Sequence, residues 1–430
     1  MRSHLPSLRT GSRRRIERSA DAVQRGCYEQ MSTPATPVPP APSDAQMNRL
    51  ASIVASLERV TAPKLYGVER IPERGALFVG NHTLFGVIDV PFMEAQLWRR
   101  RGIRLRGLGD HGHYRIPVWR NLLERSGMVR GTRENVRALM RDGQHILVFP
   151  GGTGEVFHGR GEKYQLLWKE RLGFARLAIE FGYPIVPFAA VGVEEMFEII
   201  ADRRTPGGAQ VSAIMKRLVG MPAPPIVHGI GPTLIPRPER LYFWFGEPID
   251  TARFDARAED DDAARRLRDE VRMAVHSGIE FLLAKREADP RRGVTRRVLH
   301  LPAPPVADPD AHFVARAFDA MNEAGAETAA AWMSRWVQLE DPPGWTGGGV
   351  WRGRSAVIAR LDQVIAELGA VHVDVEDART VGEGVLTRLV LIARDRKPRQ
   401  FYAAIEIDGG QIIRIRVFLD EQAARVALSQ

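Results

Sequence analysis

The sequence predicts an α/β domain with a largely parallel sheet flanked by helices, followed by a separate α+β domain. Between residues 44 and 289, short apolar runs rich in β-branched residues alternate with helical patterns, as in parallel sheets with crossover helices. Residues 290–308 are rich in Pro and Arg, which indicates a linker. In residues 309–430 helices come first and alternating strands follow, which favours an antiparallel meander.

The elements of the first domain can be taken in chain order. Residues 1–43 are charged and then rich in Pro, Ser and Thr, and we expect this tail to be disordered. Ser43 and Asp44 predict the start of a helix. The predicted strands are "ALFVGN", "IRLRGLGD", "HILVFPGG", "PIVPFAAVG" and "RLYFWFGEPI". The predicted helices are "ENVRALMRDG" and "KERLGFARLAIEFG", and a long charged helix ends near Asp289.

The second domain, residues 309–430, begins with the predicted helix "AHFVARAFDAMNEAG". Trp-rich loops, a second helix ("GRSAVIARLDQVIAELG") and four strands are expected after it. Asp408, Gly409 and Gly410 separate the last two strands and indicate a hairpin turn.

Composition excludes several classes of protein. The chain is 44% hydrophobic and 26% charged, with a net charge of +9 and one cysteine, Cys27. A single cysteine rules out a disulfide framework and a cysteine-based zinc site. No apolar run approaches the roughly 20 residues of a membrane span. The positive charge indicates an anionic partner, but no basic stripe interleaved with aromatics supports nucleic-acid binding. We therefore expect a cytoplasmic protein, peripheral on the inner face of the membrane where it meets lipid.

Two candidate sites are rejected from the residues themselves. The stretch "FPGGTGEVFHGRG" follows a strand, but Arg160 and Gly161 stand where a P-loop needs Lys and Ser or Thr. His111 and His113 have no third ligand nearby, so we expect no metal site.

A histidine at the end of a strand remains. In "LFVGNHTLFGVID", residues 77–89, His82 follows a buried apolar run, and a neutral-range pKa suits it to act as a general base. The alternative is an ordinary turn residue.

Together, "VGNHTLFGVID" and "FPGGTGE", with "SGMVRGTRENVRAL" between them, resemble the glycerolipid acyltransferase (PlsC-like) family, and particularly its branch acting on neutral acceptors. The resemblance runs from about Leu65 to Ile249. It implies that His82 is the base and that acyl-CoA is the co-substrate, with no cofactor. It also implies that further residues shape the acceptor and acyl-CoA clefts: Phe149, Pro150, Gly151, Gly152, Val186 and Pro187.

The sequence departs from the family pattern at the acid. The family pattern is His-x4-Asp, but here six residues separate His82 from Asp89. On a helix these side chains would stand about 10 Å apart along the axis, so a pairing needs a loop at Gly86. Glu155 is the other candidate acid. Arg130 and Arg133 fall where relatives carry a phosphate-binding arginine. Lys163, Lys169 and Arg171 are candidates for the CoA phosphates, and a solvated face is the alternative.

The expected reaction is transfer of a fatty acyl group to a neutral lipid hydroxyl, such as that of a diacylglycerol or a long-chain alcohol. Relatives acting on phosphorylated acceptors typically carry F-P-E-G-T-R, whereas this chain has Gly151 and Gly154 in place of the glutamate and the arginine. The altered acid spacing keeps a second hypothesis open, a lipid- or acyl-CoA-binding protein with a decayed site.

Membrane contact is expected from residues 44–58 or from 212–227, where apolar side chains surround Lys216 and Arg217; packing on the protein's own core is the alternative.

The second domain resembles the SnoaL-like family in "GGVWRGRSAVIARLDQVI" and "AAIEIDGGQIIRIRVFLD". That likeness implies a cone with a pocket, which His372 and Asp374 could face, and a binding, regulatory or dimerising role. A homodimer through this domain is one expectation. Because the domain carries no acyltransferase block, the chemical step is expected to need only the first domain.

Overall fold

The computed structural model describes residues 38–86, 88–109, 121, 123–124, 126–219, 222–299, 308–342, 344–345, 347–393 and 397–429. His111 and His113, and the predicted tail up to residue 37, lie outside the described residues. None of the described helices is long and apolar enough to cross a bilayer.

The first domain has strands β1 to β9 and helices α1 to α7. The strands are β1 (Lys64–Tyr66), β2 (Leu77–Gly80), β3 (Leu105–Gly109), β4 (Val129–Arg130), β5 (His145–Val148), β6 (Ile185–Val191), β7 (Glu198–Ala201), β8 (Ile226–His228) and β9 (Tyr242–Phe245). The helices are α1 (Asp44–Thr61), α2 (Val90–Arg101), α3 (Arg133–Arg141), α4 (Thr153–Val156), α5 (Gly173–Phe181), α6 (Gly208–Val219) and α7 (Asp261–Glu287).

Within the described residues, seven of these strands form one sheet in the order β1-β9-β6-β2-β5-β3-β4. The five strands from β6 to β4 are mutually parallel, and β9 runs antiparallel to β6. The predicted, largely parallel sheet is therefore confirmed. All of β2 and β6 is buried, because helices cover the sheet and continuous apolar runs suit strands hidden on both faces.

Helix α1 begins where the sequence predicts. The Ser43 hydroxyl accepts a hydrogen bond from Gln46 N–H, and the Gln46 side chain accepts one from Ser43 N–H. This reciprocal pair fixes the first turn. Met47 and Val54 are buried, whereas Ile53 and Leu57 are exposed, so only some of the apolar side chains of α1 pack on the core.

The second domain is an α+β unit, as predicted. Its elements, together with the short helix before it, are α8 (Val294–Val298), α9 (Pro309–Ala324), α10 (Ala326–Ala329), β10 (Met333–Glu340), β11 (Val350–Arg352), α11 (Arg354–Leu368), β12 (Ala370–Val381), β13 (Gly384–Ala393), β14 (Arg399–Asp408), β15 (Gln411–Phe418) and α12 (Glu421–Leu428). The described strands form a sheet in the order β11-β10-β15-β14-β13-β12, antiparallel except between β10 and β15.

Two expectations for the region after α7 need revision. The segment predicted to form Trp-rich loops contains β10 and β11. Trp336 of β10 is exposed, and it lies where the pairing of β10 with β15 is irregular, between Met333 and Gln338. The first part of the predicted linker forms α8, and Arg297 there donates hydrogen bonds to the main-chain oxygens of Val60 (2.6 Å) and Pro238 (2.8 Å).

Helix α7 carries contacts to both domains. The Phe281 ring meets Tyr66 of the first domain edge-on at 5.2 Å between centroids and Phe313 of α9 at 5.9 Å. The indole N–H of Trp244, from β9, donates a hydrogen bond to the carbonyl of Gly409 in the predicted β14–β15 hairpin turn. The two domains therefore bury part of their apolar surface against each other.

Candidate active site

His82 lies just beyond the carboxyl end of β2, in the middle of the first sheet. The preceding residue, Asn81, makes two hydrogen bonds with the main chain of β6. Asn81 Nδ2 donates to Ala190 O (3.0 Å), and Ala190 N–H donates to Asn81 Oδ1 (2.9 Å). Because Ala190 belongs to the buried strand β6, this double hydrogen bond ties the start of the histidine loop to the sheet.

The imidazole of His82 stacks on the ring of Phe149, with centroids 3.8 Å apart and an angle of 11° between the planes. Phe149 follows β5, the parallel neighbour of β2, so both residues leave the same edge of the sheet. On the loop itself, Gly86 has φ +63° and approaches the ring so closely that a Cβ there would stand 2.1 Å from His82 Cε1. The imidazole is thus held between an aromatic ring and a glycine turn.

Glu155 contacts the backbone of the histidine loop. Its Oε2 accepts a hydrogen bond from His82 N–H (3.0 Å), and its Oε1 accepts one from Leu167 N–H (2.8 Å). Burial raises the pKa of this carboxyl to about 7, against hydrogen bonds that favour the ionised form. The contacts suit a residue that positions His82 through its main chain.

The same carboxyl explains why residue 151 is glycine. A Cβ on Gly151 would stand 1.9 Å from the Glu155 carboxyl carbon. The Glu155 carboxyl group therefore fills the space beside Gly151.

Asp89 contacts the histidine loop although the residues between it and His82 are not helical where they are described. Residues 82–88 form turns rather than helix where they are described, and α2 starts after Asp89. Asp89 Oδ1 accepts a hydrogen bond from the hydroxyl of Thr83 (3.0 Å), the residue after His82. Burial raises the pKa of Asp89 to about 6 despite this hydrogen bond.

A buried pair that the sequence did not indicate supports the same loop. His158 Nε2 lies 2.6 Å from Glu194 Oε2, and Glu194 Oε1 accepts a hydrogen bond from Leu84 N–H (3.0 Å). Burial lowers the pKa of His158, but the hydrogen bond and charge of Glu194 outweigh it and raise the pKa overall. The sequence offers only a weak indication of this pair, namely that Glu194 follows β6, which is the other strand paired with β2.

The predicted phosphate-binding arginines lie further along the sheet. Arg130 ends β4, and Arg133 begins α3. β4 is three strands from β2, which at the usual spacing is roughly 14 Å. Arg171 is nearer, because its Nη1 donates a hydrogen bond to Pro150 O at 2.7 Å.

The other predicted cleft residues fall in two groups. Pro150 and Gly152 form the turn after Phe149, where Gly152 N–H donates to Phe149 O (3.1 Å). Val186 and Pro187 are buried inside β6, opposite Phe78 and Val79 of β2. They lie under the site, and their role in lining a cleft stays a prediction.

The second domain contains an apolar cavity of about 90 Å³. Val373 of β12 lines it, and its neighbours His372 and Asp374 are exposed, so the expectation that this pair faces the pocket is wrong. Side chains alternate along a strand, and Val373 takes the inward position. Asp341 also lines the cavity, but it accepts a hydrogen bond from Trp351 Nε1 (2.8 Å). Among the described residues, no group of three or more His, Cys, Asp or Glu side chains could hold a metal.

We compared the sequence with models of known protein families. Residues 62–191 match the family described as Acyltransferase. The first domain is an acyltransferase domain. The match covers the strand and loop that carry His82, the Phe149 turn, Glu155 and the whole of β6.

Two curated relatives share the acyltransferase domain. Phytyl ester synthase 2 of Arabidopsis thaliana is 33% identical over 257 residues, which cover 54% of this chain and 36% of the relative. The mouse "DGAT1/2-independent enzyme synthesizing storage lipids" is 26% identical over 212 residues, covering 49% of this chain and 59% of the relative. The chain thus spans about a third of the first relative's length and about three fifths of the second's.

Solved structures similar to the chain include an NTF2-like protein of Burkholderia xenovorans, at 13% identity and a TM-score of 0.20, covering 24% of this chain and 74% of that one. A second is a putative ketosteroid isomerase of Kribbella flavida, at 22% identity and a TM-score of 0.20, covering 24% and 70%.

Proposed function

We propose that this chain transfers a fatty acyl group from acyl-CoA to the hydroxyl of a neutral lipid, a diacylglycerol or a long-chain alcohol. The observation that carries the proposal is the arrangement of His82, stacked on Phe149 at the carboxyl edge of the sheet in an acyltransferase domain. Such an imidazole can take a proton from a bound hydroxyl.

In the proposed reaction, a ring nitrogen of His82 removes the acceptor's hydroxyl proton while the hydroxyl oxygen attacks the thioester carbonyl. The tetrahedral intermediate then expels the CoA thiolate, which takes the proton back from the imidazolium. Within the part of the chain that the structure describes, the main-chain N–H groups of Gly151 and Thr153 donate to no other group, so they are candidate donors to the developing oxyanion.

The remaining acids have supporting roles in this proposal. Glu155 holds His82 N–H and Asp89 holds the Thr83 hydroxyl, so both carboxylates fix the loop that presents the base. Burial raises the pKa of Asp89 to about 6 and that of Glu155 to about 7, so near neutral pH the two groups place a partial negative charge beside the acceptor. A phosphorylated acceptor would be repelled there, whereas a neutral hydroxyl would not.

Two further observations favour a neutral acceptor. Gly154 provides no cation where phosphate-using relatives carry arginine, and a charge-assisted contact of that kind is worth about 1.5–3 kcal/mol. One relative is named for phytyl esters, which are esters of a neutral alcohol, and another for storage lipids. Arg171 lies at the Phe149 turn, where its Nη1 donates a hydrogen bond to Pro150 O.

The test measures free thiol released from acyl-CoA in mixed micelles that contain diacylglycerol, a long-chain alcohol or lysophosphatidate. We expect release with a neutral acceptor and its loss in His82→Ala. His312→Ala, at a half-buried histidine that pairs with Glu287 of α7, is the control and should keep wild-type rates. A preference for lysophosphatidate would overturn the acceptor assignment. Acyl-CoA binding without thiol release from any acceptor would instead indicate a binding protein.

A further inference from the structure

Residues 198–219 and 222–238 lie between β6 and β9 along the chain, and we refer to them as the α6 arm. Its strands β7 and β8 pair only with each other among the described strands, and α6 lies between them. The arm therefore adds no strand to the central sheet, although Val227 of β8 and Ile199 of β7 pack on the core of the domain.

Helix α6 presents an apolar stripe to solvent. Val211, Ile214, Met215 and Leu218 follow the spacing of one helical face. Ile214 is 58% exposed and Leu218 is 74% exposed, and no residue from 208 to 218 is buried. A surface helix of a globular protein normally packs such a stripe on its own core, so this one lacks its apolar partner in the described part of the chain.

The rest of the α6 arm adds exposed apolar side chains. These are Ile200 on β7, Ile226 on β8, and Ile230, Leu234 and Ile235 in the turn that follows β8. Large exposed apolar side chains scattered singly need no explanation, but a concentration of them in one segment marks an interaction surface.

The α6 arm carries mainly positive charge, and its two acids, Glu198 and Asp202, stand at its start. From residue 203 to residue 238 the sequence has five cations and no Asp or Glu. Lys216 and Arg217 lie on α6 directly beside the apolar stripe and form no ion pair with the residues that the structure describes. An apolar stripe flanked by unpaired cations complements a surface that is apolar inside and anionic outside.

We propose that the α6 arm docks on an anionic lipid surface, with the stripe of α6 in the interfacial region and Lys216 and Arg217 at the headgroups. Docking would also orient the candidate active site. The arm begins beside the histidine loop, where the rings of Phe85 and Phe197 meet edge-on at 5.5 Å. In this orientation the arm brings the membrane, the source of a neutral lipid acceptor, to the loop that carries His82. The orientation rests on the proposed function; the lipid binding does not.

The experiment is flotation of the full chain with vesicles of phosphatidylcholine, alone or mixed with phosphatidylglycerol. We expect the double variant Ile214→Glu, Leu218→Glu to bind the mixed vesicles at least tenfold more weakly than wild type. Each of Lys216→Gln and Arg217→Gln should reduce binding to the anionic vesicles roughly fivefold, and high salt should do the same. Leu419→Glu, at a leucine 63% exposed in the second domain, is the matched control and should bind as wild type.

Three outcomes would overturn the proposal. They are wild-type binding by the α6 variants, equal losses in Leu419→Glu, and a change in sedimentation mass of the α6 variants without a change in vesicle binding, which would make a second copy of the chain the occupant. Thiol release with a water-soluble short-chain alcohol separates this proposal from the catalytic one, because the α6 variants should keep that rate. Loss of lipid binding with this rate intact concerns the α6 arm alone.

Discussion

The Glu155 carboxyl gives a prediction whose size follows from its surroundings. It is buried and accepts hydrogen bonds from His82 N–H and Leu167 N–H, and burial raises its pKa to about 7 from an ordinary value near 4.5. The folded protein therefore binds this proton more tightly than the unfolded chain. Its contribution to stability is present at low pH and is lost as the pH rises through about 7.

The perturbation is Glu155→Gln, which keeps the shape of the side chain and removes its titration. Between about pH 5 and about pH 8, the free energy of unfolding of wild type should fall by about 2–3 kcal/mol more than that of the variant. Other titrating groups are common to both proteins and cancel in this difference. Denaturant titrations followed by tryptophan fluorescence at the two pH values measure it.

The exposed residue Glu170 provides the control, because Glu170→Gln removes a similar carboxyl whose side chain is 82% exposed and should leave the pH dependence unchanged. Equal pH dependence in wild type and Glu155→Gln would refute the reasoning. It would mean that the two main-chain hydrogen bonds compensate fully for burial of the charge.

Further predictions concern the histidine loop and the contact between domains. Gly86→Ala should abolish thiol release in a folded protein, because its Cβ would stand 2.1 Å from His82 Cε1; Gly102→Ala, with φ +64° and no atom within 4 Å, should keep activity. Asp89→Asn keeps an acceptor for the Thr83 hydroxyl, so its rate should exceed that of His82→Ala, and equal rates would assign Asp89 a direct role. A chain ending at Asp289 should keep the acyl-transfer rate per folded molecule. Its free energy of unfolding should fall by roughly 3–6 kcal/mol, because Trp244 and Phe281 lose their contacts with the second domain. A denaturant titration that gives the same free energy of unfolding as the full chain would contradict this.

The sequence predicted the sheet well because the information is local. Apolar runs that end in Gly-Asn-His and in Phe-Pro-Gly-Gly identify β2 and β5, and parallel pairing brings His82 and Phe149 to one edge. The spacing argument for Asp89 assumed a helix, whereas left-handed residues such as Phe85 and Gly86 turn the chain back.

Other parts of the site could not be predicted, because they depend on contacts between distant segments. Nothing near His158 indicates that its partner will be Glu194, 36 residues away, and nothing near Glu155 shows that its carboxyl will bind His82 N–H. The strand β10 was missed for a related reason. Its exposed Trp336 obscures the alternation of buried and exposed residues that identifies a strand.

The long helix α7 limits where the second domain can be exchanged for another. Its 27 residues extend roughly 40 Å, and Phe281 near its end touches Tyr66 on one side and Phe313 on the other. A domain that can be exchanged between proteins has a hydrophobic core made only of its own residues. Here the Phe281 ring packs against both domains. A chimera joined within residues 290–308 would therefore separate Phe281 from Phe313, its contact in the second domain. A successful exchange of the second domain has to carry the last turns of α7 with it.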